Sequence, residues 1–180
     1  MININLYGGP GTGKSTTAAG LFYKMKTEGY KAELISEFAK ELTFSEDMTR
    51  LKDQLLILAE QHHRMFRLDG KVDWVIHDSP INMGQVYLND ETIPVKEFEK
   101  FTNALFNRYD CINIFLERNV KEHGYQEYGR TQTLNEAIDK DNEIKAMLVK
   151  NNVPFIQVKM GSDAVNEIYE LIKDVNEKED

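Results

Sequence analysis

Met1-Ile-Asn-Ile-Asn-Leu-Tyr7 alternates apolar and polar residues, which predicts a strand over Ile2–Tyr7. After a glycine-rich stretch the spacing becomes helical over Lys14–Glu28, closed by Gly29. Lys31–Ile35 reads as a short second strand. Leu51, Leu55, Leu58, His62, Met65 and Phe66 recur at helical intervals and predict one helix over Met48–Asp69, ended by Gly70. Trp74–Asp78 is a compact apolar run, the mark of a strand covered on both faces. Ser79-Pro80 then reads as a helix cap followed by proline at the first helical position. Val95–Tyr109 is helical, with Phe98, Phe101, Leu105 and Phe106 on one side, and Cys111–Leu116 is another strand. Glu117–Gly129 is a polar loop. Thr133 and Glu136 have the spacing of a capping box that opens a helix running to about Asn151. Pro154–Val158 and Ser162–Val175 are the last strand and helix, and a charged tail covers 176–180.

This alternation predicts one α/β domain over residues 1–175: a three-layer α/β/α fold with a mostly parallel five-stranded sheet. Ligands of such sheets sit beyond the carboxyl ends of the strands. The residues that follow each strand are therefore the first candidates for chemistry.

Directly after the first strand, Gly8–Ser15 reads G-G-P-G-T-G-K-S, a full match to G-x-x-x-x-G-K-[ST] between a strand and a helix. The turn Gly8, Gly9, Pro10, Gly11, Thr12, Gly13 and the helix start Lys14, Ser15, Thr16 would aim backbone N–H groups at one anion. Gly8, Gly11 and Gly13 are expected at positive φ. Lys14 would reach the β- and γ-phosphates of a nucleotide, and Ser15 would ligate Mg²⁺.

Asp78, ending the Trp74–Asp78 run, can hold Mg²⁺ beside Ser15 or take a proton from a substrate hydroxyl. Glu37, just past the second strand, can orient and deprotonate an attacking hydroxyl. Arg118 and Arg130 bracket the polar loop, whose Lys121, His123, Tyr125, Tyr128 and two glycines suit a short lid over a transferring phosphoryl group. His62 falls on an apolar stripe and His77 inside a strand, and both are expected to be structural. His63 or Arg64 can face an acceptor pocket, as can Met83, Gln85 and Tyr87.

A formal charge of −8 disfavours non-specific nucleic-acid binding. A basic strip of Arg64, Arg67, Lys71, Lys121 and Arg130 on one face would be needed to restore it. No apolar run suits a membrane span. The chain opens on a strand rather than a cleavable leader, and its single cysteine, Cys111, fits a small core residue in a reducing cytoplasm. No zinc-ligand spacing is present, and the absence of N-K-x-D favours ATP over GTP.

The whole pattern resembles small P-loop kinases, above all the ribosylnicotinamide kinase domain of bacterial NAD regulator proteins and related kinases of phage genomes. The likeness lies in the G-G-P-G-T-G-K-S-T loop, Ser36–Glu41, Gln61–Arg64, Ile76–Ser79, Tyr109–Arg118, Gly129-Arg130 and Val153–Val158. It implies ATP- and Mg²⁺-dependent phosphorylation of a hydroxyl on a nucleoside- or nucleotide-like acceptor, served by Lys14, Glu37 or Asp78, and Arg130. Small kinases of this kind often pair as homodimers. Asp78-Ser79-Pro80 lacks the arginine of the deoxynucleoside-kinase D/E-R-S motif. Thr131–Thr133 is closer to phage relatives, some of which phosphorylate hydroxymethylated bases within DNA. The other class of function is a nucleotide-hydrolysing switch acting on a protein partner.

Overall fold

In the computed structural model, which describes residues 1–125 and 132–176, five parallel strands form one sheet. The strands are β1 (Ile2–Tyr7), β2 (Ala32–Ile35), β3 (Trp74–His77), β4 (Asp110–Glu117) and β5 (Ile156–Lys159), in the order β2-β3-β1-β4-β5. Parallel neighbours need covered crossovers, and helices supply the cover on both faces. Helices α1 (Lys14–Thr27), α2 (Phe38–Phe44), α3 (Met48–Lys52), α4 (Gln54–Phe66), α5 (Gly84–Tyr87), α6 (Val95–Phe106), α7 (Val120–His123), α8 (Leu134–Lys150) and α9 (Ala164–Asn176) follow in chain order.

The alternation in β1 decides the layers. Ile4 and Leu6 point to one face and pack with Ala18, Leu21 and Met25 of α1 and Ile168 and Ile172 of α9. Tyr7 points to the other, where Leu58, Phe98, Phe106, Ile144 and Leu148 bring α4, α6 and α8 together. The expected three-layer arrangement is therefore present, with a core on each side of the sheet.

That second face also carries polar groups. Asn5 Nδ2 donates to Asn113 Oδ1 at 2.9 Å, and Asn113 Nδ2 donates to the Pro154 carbonyl at 3.0 Å. His77 Nε2 lies 2.9 Å from Asn3 Oδ1, a hydrogen bond whose direction follows the imidazole tautomer. His77 is 2% exposed, and burial pulls its pKa from 6.5 down to about 3. The unfolded chain then binds a proton below about pH 6.5 that the folded chain refuses until about pH 3. Stability should fall with pH across that window, by up to ~1.4 kcal/mol per pH unit from this group. Chemical denaturation at pH 7 and pH 5 checks this against His77→Gln, which should flatten the slope; an unchanged slope rejects the assignment.

Two expectations need correction. The helix expected over Met48–Asp69 is two helices, because Asp53 leaves the helical region (φ −80°, ψ 91°) and caps α4 by accepting from Leu56 N. The apolar period continues across that break, so it left no mark in the pattern. Ser79 is not a helix cap, and Pro80 does not begin an α-helix. Pro80 is extended (φ −63°, ψ 152°), and its carbonyl accepts from Met83 N to start a short 3₁₀ turn over Ile81–Met83. The Ser79 carbonyl meanwhile accepts from Gln61 Nε2 of α4. The capping box of α8 is as expected: Thr133 Oγ1 accepts from Glu136 N, and Thr133 N donates to Glu136 Oε2. No helix among the described residues is long and apolar enough to cross a membrane.

Candidate functional site: a phosphate loop with carboxylates at the strand ends

The carboxyl ends of β1, β2, β3 and β4 deliver the loop Gly8–Gly13, then Ser36-Glu37, then Asp78, then Arg118. These are the positions that the strand pattern singled out. Gly8, Gly11 and Gly13 take positive φ (142°, 77° and 86°), as expected. Gly13 stands at the N-cap of α1 and has no side chain to cap it. The first N–H groups of that helix therefore have no intrahelical acceptor, and with the helix dipole they favour an anion. Gly9, Pro10 and Thr16 belong to the same turn and helix start, and Thr12 Oγ1 steadies the turn by donating to the Gly9 carbonyl at 3.0 Å.

Lys14 is buried, and its ammonium donates to the carbonyls of Gly8 (2.8 Å) and Gly9 (3.2 Å). It thus rests on the loop's own rim. Ser15 Oγ accepts from Lys40 Nζ of α2 at 3.1 Å. Beside it a cavity of about 310 Å³ is lined by Ser15, Ala18, Leu34, Ser36, Glu37, Lys40, Glu41, Phe44 and Asp78. A recess of about 670 Å³ lies at the amino ends of the strands, against Ile2 and Trp74. Its larger size does not make it the site, because the phosphate cradle and the carboxylates are at the opposite end of the sheet.

Asp78 is 4% exposed, and its Oδ1 has no hydrogen-bond partner among the described residues. A buried carboxylate oxygen without a donor is costly, so a bound group that satisfies it is favoured. Part of the Glu37 side chain is exposed, but its carboxyl group is desolvated, which raises its pKa. Lys14 and Lys40 oppose the rise and Asp78 adds to it. The Tyr87 phenol is pushed well above its ordinary pKa by burial and then by the carboxylates of Glu37, Asp141 and Glu143, which places it on the same side of the sheet end.

These features suit Mg²⁺. An ammonium already sits on Ser15 Oγ, a neighbouring carboxylate oxygen is unpartnered, and the donors are hard oxygens. Among the described residues no cluster of three or more His, Cys, Asp or Glu could hold a metal ion. Ser15 and Asp78 would therefore share the ion with phosphate oxygens and water, as Mg²⁺ commonly requires.

Other candidates fall into place differently. Arg64 makes a two-pronged pair with Glu41 (2.7 and 2.9 Å), bonds Glu60 (2.9 Å) and touches Ser36 (3.1 Å). It ties α4 to α2 behind the cavity, while neighbouring His63 is exposed. His62 stacks on Phe66 with ring centroids 6.2 Å apart. Met83 is in the core, and Gln85 bridges Asn103 and Asn151 between α6 and the end of α8. Arg118 is buried against α8. Arg130, with Tyr128, Gly129 and Thr131, lies outside the described residues. Lys40 and Asp141 had no role in the reading of the sequence. Lys40 sits in Ser36–Glu41, a segment already singled out, so its place three residues after Glu37 was an available signal.

The model of one protein family, described as AAA domain, matches residues 3–164, and no curated protein matches the chain. The match spans the phosphate loop, the sheet through β5 and the strand-end carboxylates. By that match and by its sheet, the chain belongs to the AAA domain family of P-loop nucleotide-binding proteins.

Proposed function

We propose that the protein is a phosphotransferase that moves the γ-phosphoryl group of ATP to a hydroxyl of a nucleoside- or nucleotide-like acceptor, with Mg²⁺. The observation that carries this reading is the cavity beside Ser15, which Glu37 and Asp78 also line. A hydrolase needs room only for water, whereas about 310 Å³ next to two carboxylates suits a second small molecule.

Lys14 leaves the loop carbonyls to meet the β- and γ-phosphates. Asp78 and Ser15 would hold Mg²⁺, which would supply positive charge to offset that of the phosphates. Glu37 accepts the proton of the acceptor hydroxyl as its oxygen bonds to the γ-phosphorus and the bond to the β-phosphate oxygen breaks, releasing ADP. Arg118 and Arg130 stabilise the transferring group. Most of the rate gain then comes from positioning and fixed charge. The resemblance to ribosylnicotinamide kinases supports a nucleoside-like acceptor. A DNA acceptor has less support: Arg64, one member of the required basic strip, is already paired with Glu41 and Glu60.

The test is ADP release from ATP and Mg²⁺ against nucleosides, nucleoside monophosphates, nicotinamide riboside, and plain and hydroxymethylated DNA. One acceptor should stimulate release strongly and be recovered phosphorylated. Steady hydrolysis that no acceptor changes would replace this reading with that of a nucleotide-driven switch.

A further inference from the structure

Asp141 lies in the first half of α8, far in sequence from the loop it touches. One carboxylate oxygen, Oδ1, accepts from Gly9 N at 2.6 Å. The other, Oδ2, accepts from Arg118 Nε at 2.9 Å. A single carboxylate thus joins α8, the end of β4 and the phosphate loop. The Arg118 side chain is only 8% exposed, and Nη2 lies 3.4 Å from the Ala137 carbonyl. Nη1 is buried with no hydrogen-bond partner among the described residues.

The guanidinium rests against the loop backbone. A Cβ at Gly9 would lie 3.3 Å from Nη2, and one at Gly11 would lie 3.3 Å from Nη1. The Tyr125 ring lies beside it, with the guanidinium carbon 5.7 Å from the centroid. Arg118 therefore has a fixed place, a neutralising partner and one N–H donor left over beside the phosphate loop. A buried cationic donor left unpartnered costs stability, so its persistence calls for a partner that arrives with the ligand.

We infer that Asp141 is a positioning residue for the nucleotide: it locks Arg118 Nε and the Gly9 amide together, so that Arg118 Nη1 is held ready for a phosphate oxygen. This rests on the reading of the loop as a nucleotide site, and it needs no acceptor. Asp141 acts through Arg118, and its own negative charge is tolerated near a polyphosphate only because Arg118 cancels it.

The test is ADP and ATP affinity by titration calorimetry, without acceptor, on the full chain. Asp141→Asn keeps the shape and an oxygen for Gly9 N but offers Arg118 no charge. It should weaken nucleotide binding by about tenfold, the scale of a lost charged hydrogen bond, and Asp141→Glu should recover part of the loss. In the Arg118→Ala background the sign should differ: Asp141→Asn should cost nothing or restore affinity, because it removes a carboxylate left uncompensated. A merely structural aspartate would lower the melting temperature and affect both backgrounds alike. Equal losses in the two backgrounds, or unchanged affinity on the intact protein, would overturn the inference. Normal nucleotide binding without phosphorylation of any acceptor would instead count against the kinase reading and leave this one standing.

Discussion

Replacing Lys14 with alanine should lower turnover by about a hundred- to a thousand-fold, the scale seen when one fixed charge-stabilising donor is removed from an active site. The fold should survive. Among the described residues the Lys14 ammonium bonds only the Gly8 and Gly9 carbonyls of its own loop, and the residue belongs to neither core. Its melting temperature should therefore stay close to that of the unaltered protein. Lys14→Arg should fail almost as badly, since a planar fork cannot replace a compact ammonium inside the loop. ADP release and thermal unfolding measured side by side check both halves. Near-normal turnover in the alanine variant would remove phosphoryl chemistry from this loop.

The second large effect separates the two carboxylates. Glu37→Gln should cut acceptor-dependent transfer by about a hundred- to ten-thousand-fold, the usual range for a general base, while ADP affinity stays unchanged. Asp78→Asn should lose transfer and also weaken metal-dependent nucleotide binding, because it alters an oxygen proposed to hold the ion. The pH profile gives an independent reading. Burial raises the Glu37 pKa, and a base works only when deprotonated, so kcat/KM should fall as pH drops through a value above the ordinary carboxylate range. That acid limb should vanish in Glu37→Gln. If the limb persists there and disappears in Asp78→Asn, the two roles are exchanged.

Much of this site was visible before the fold because its chemistry is carried by backbone and by strand ends. The glycine spacing of the phosphate loop encodes a backbone shape, and that shape appears at Gly8, Gly11 and Gly13. Glu37 and Asp78 were found by one rule, that ligands lie past the carboxyl ends of strands, and both line the cavity beside Ser15. Helix α2 was missed because it is short and buries only Phe38 and Leu42, too few to show a period. Asp141 was illegible for a different reason. It stands near Asp139 and Glu143 on one helix, and nothing local marks which carboxylate will meet Gly9. Only tertiary packing makes that choice.

The amides in the sheet have a consequence for how the strands find one another. No hairpin joins the parallel neighbours, so their alignment is not set by turns. A slip of β1 by one residue would carry Asn3 and Asn5 into the apolar α1/α9 cluster and drive Ile4 and Leu6 against His77 and Asn113. The misaligned sheet would bury several amides without partners. Asn5, Asn113, Asn3 and His77 thus act as a key that admits one alignment of the central strand. Because β1 ends at Gly8, the same key fixes the height at which the phosphate loop emerges relative to Asp78 and Arg118.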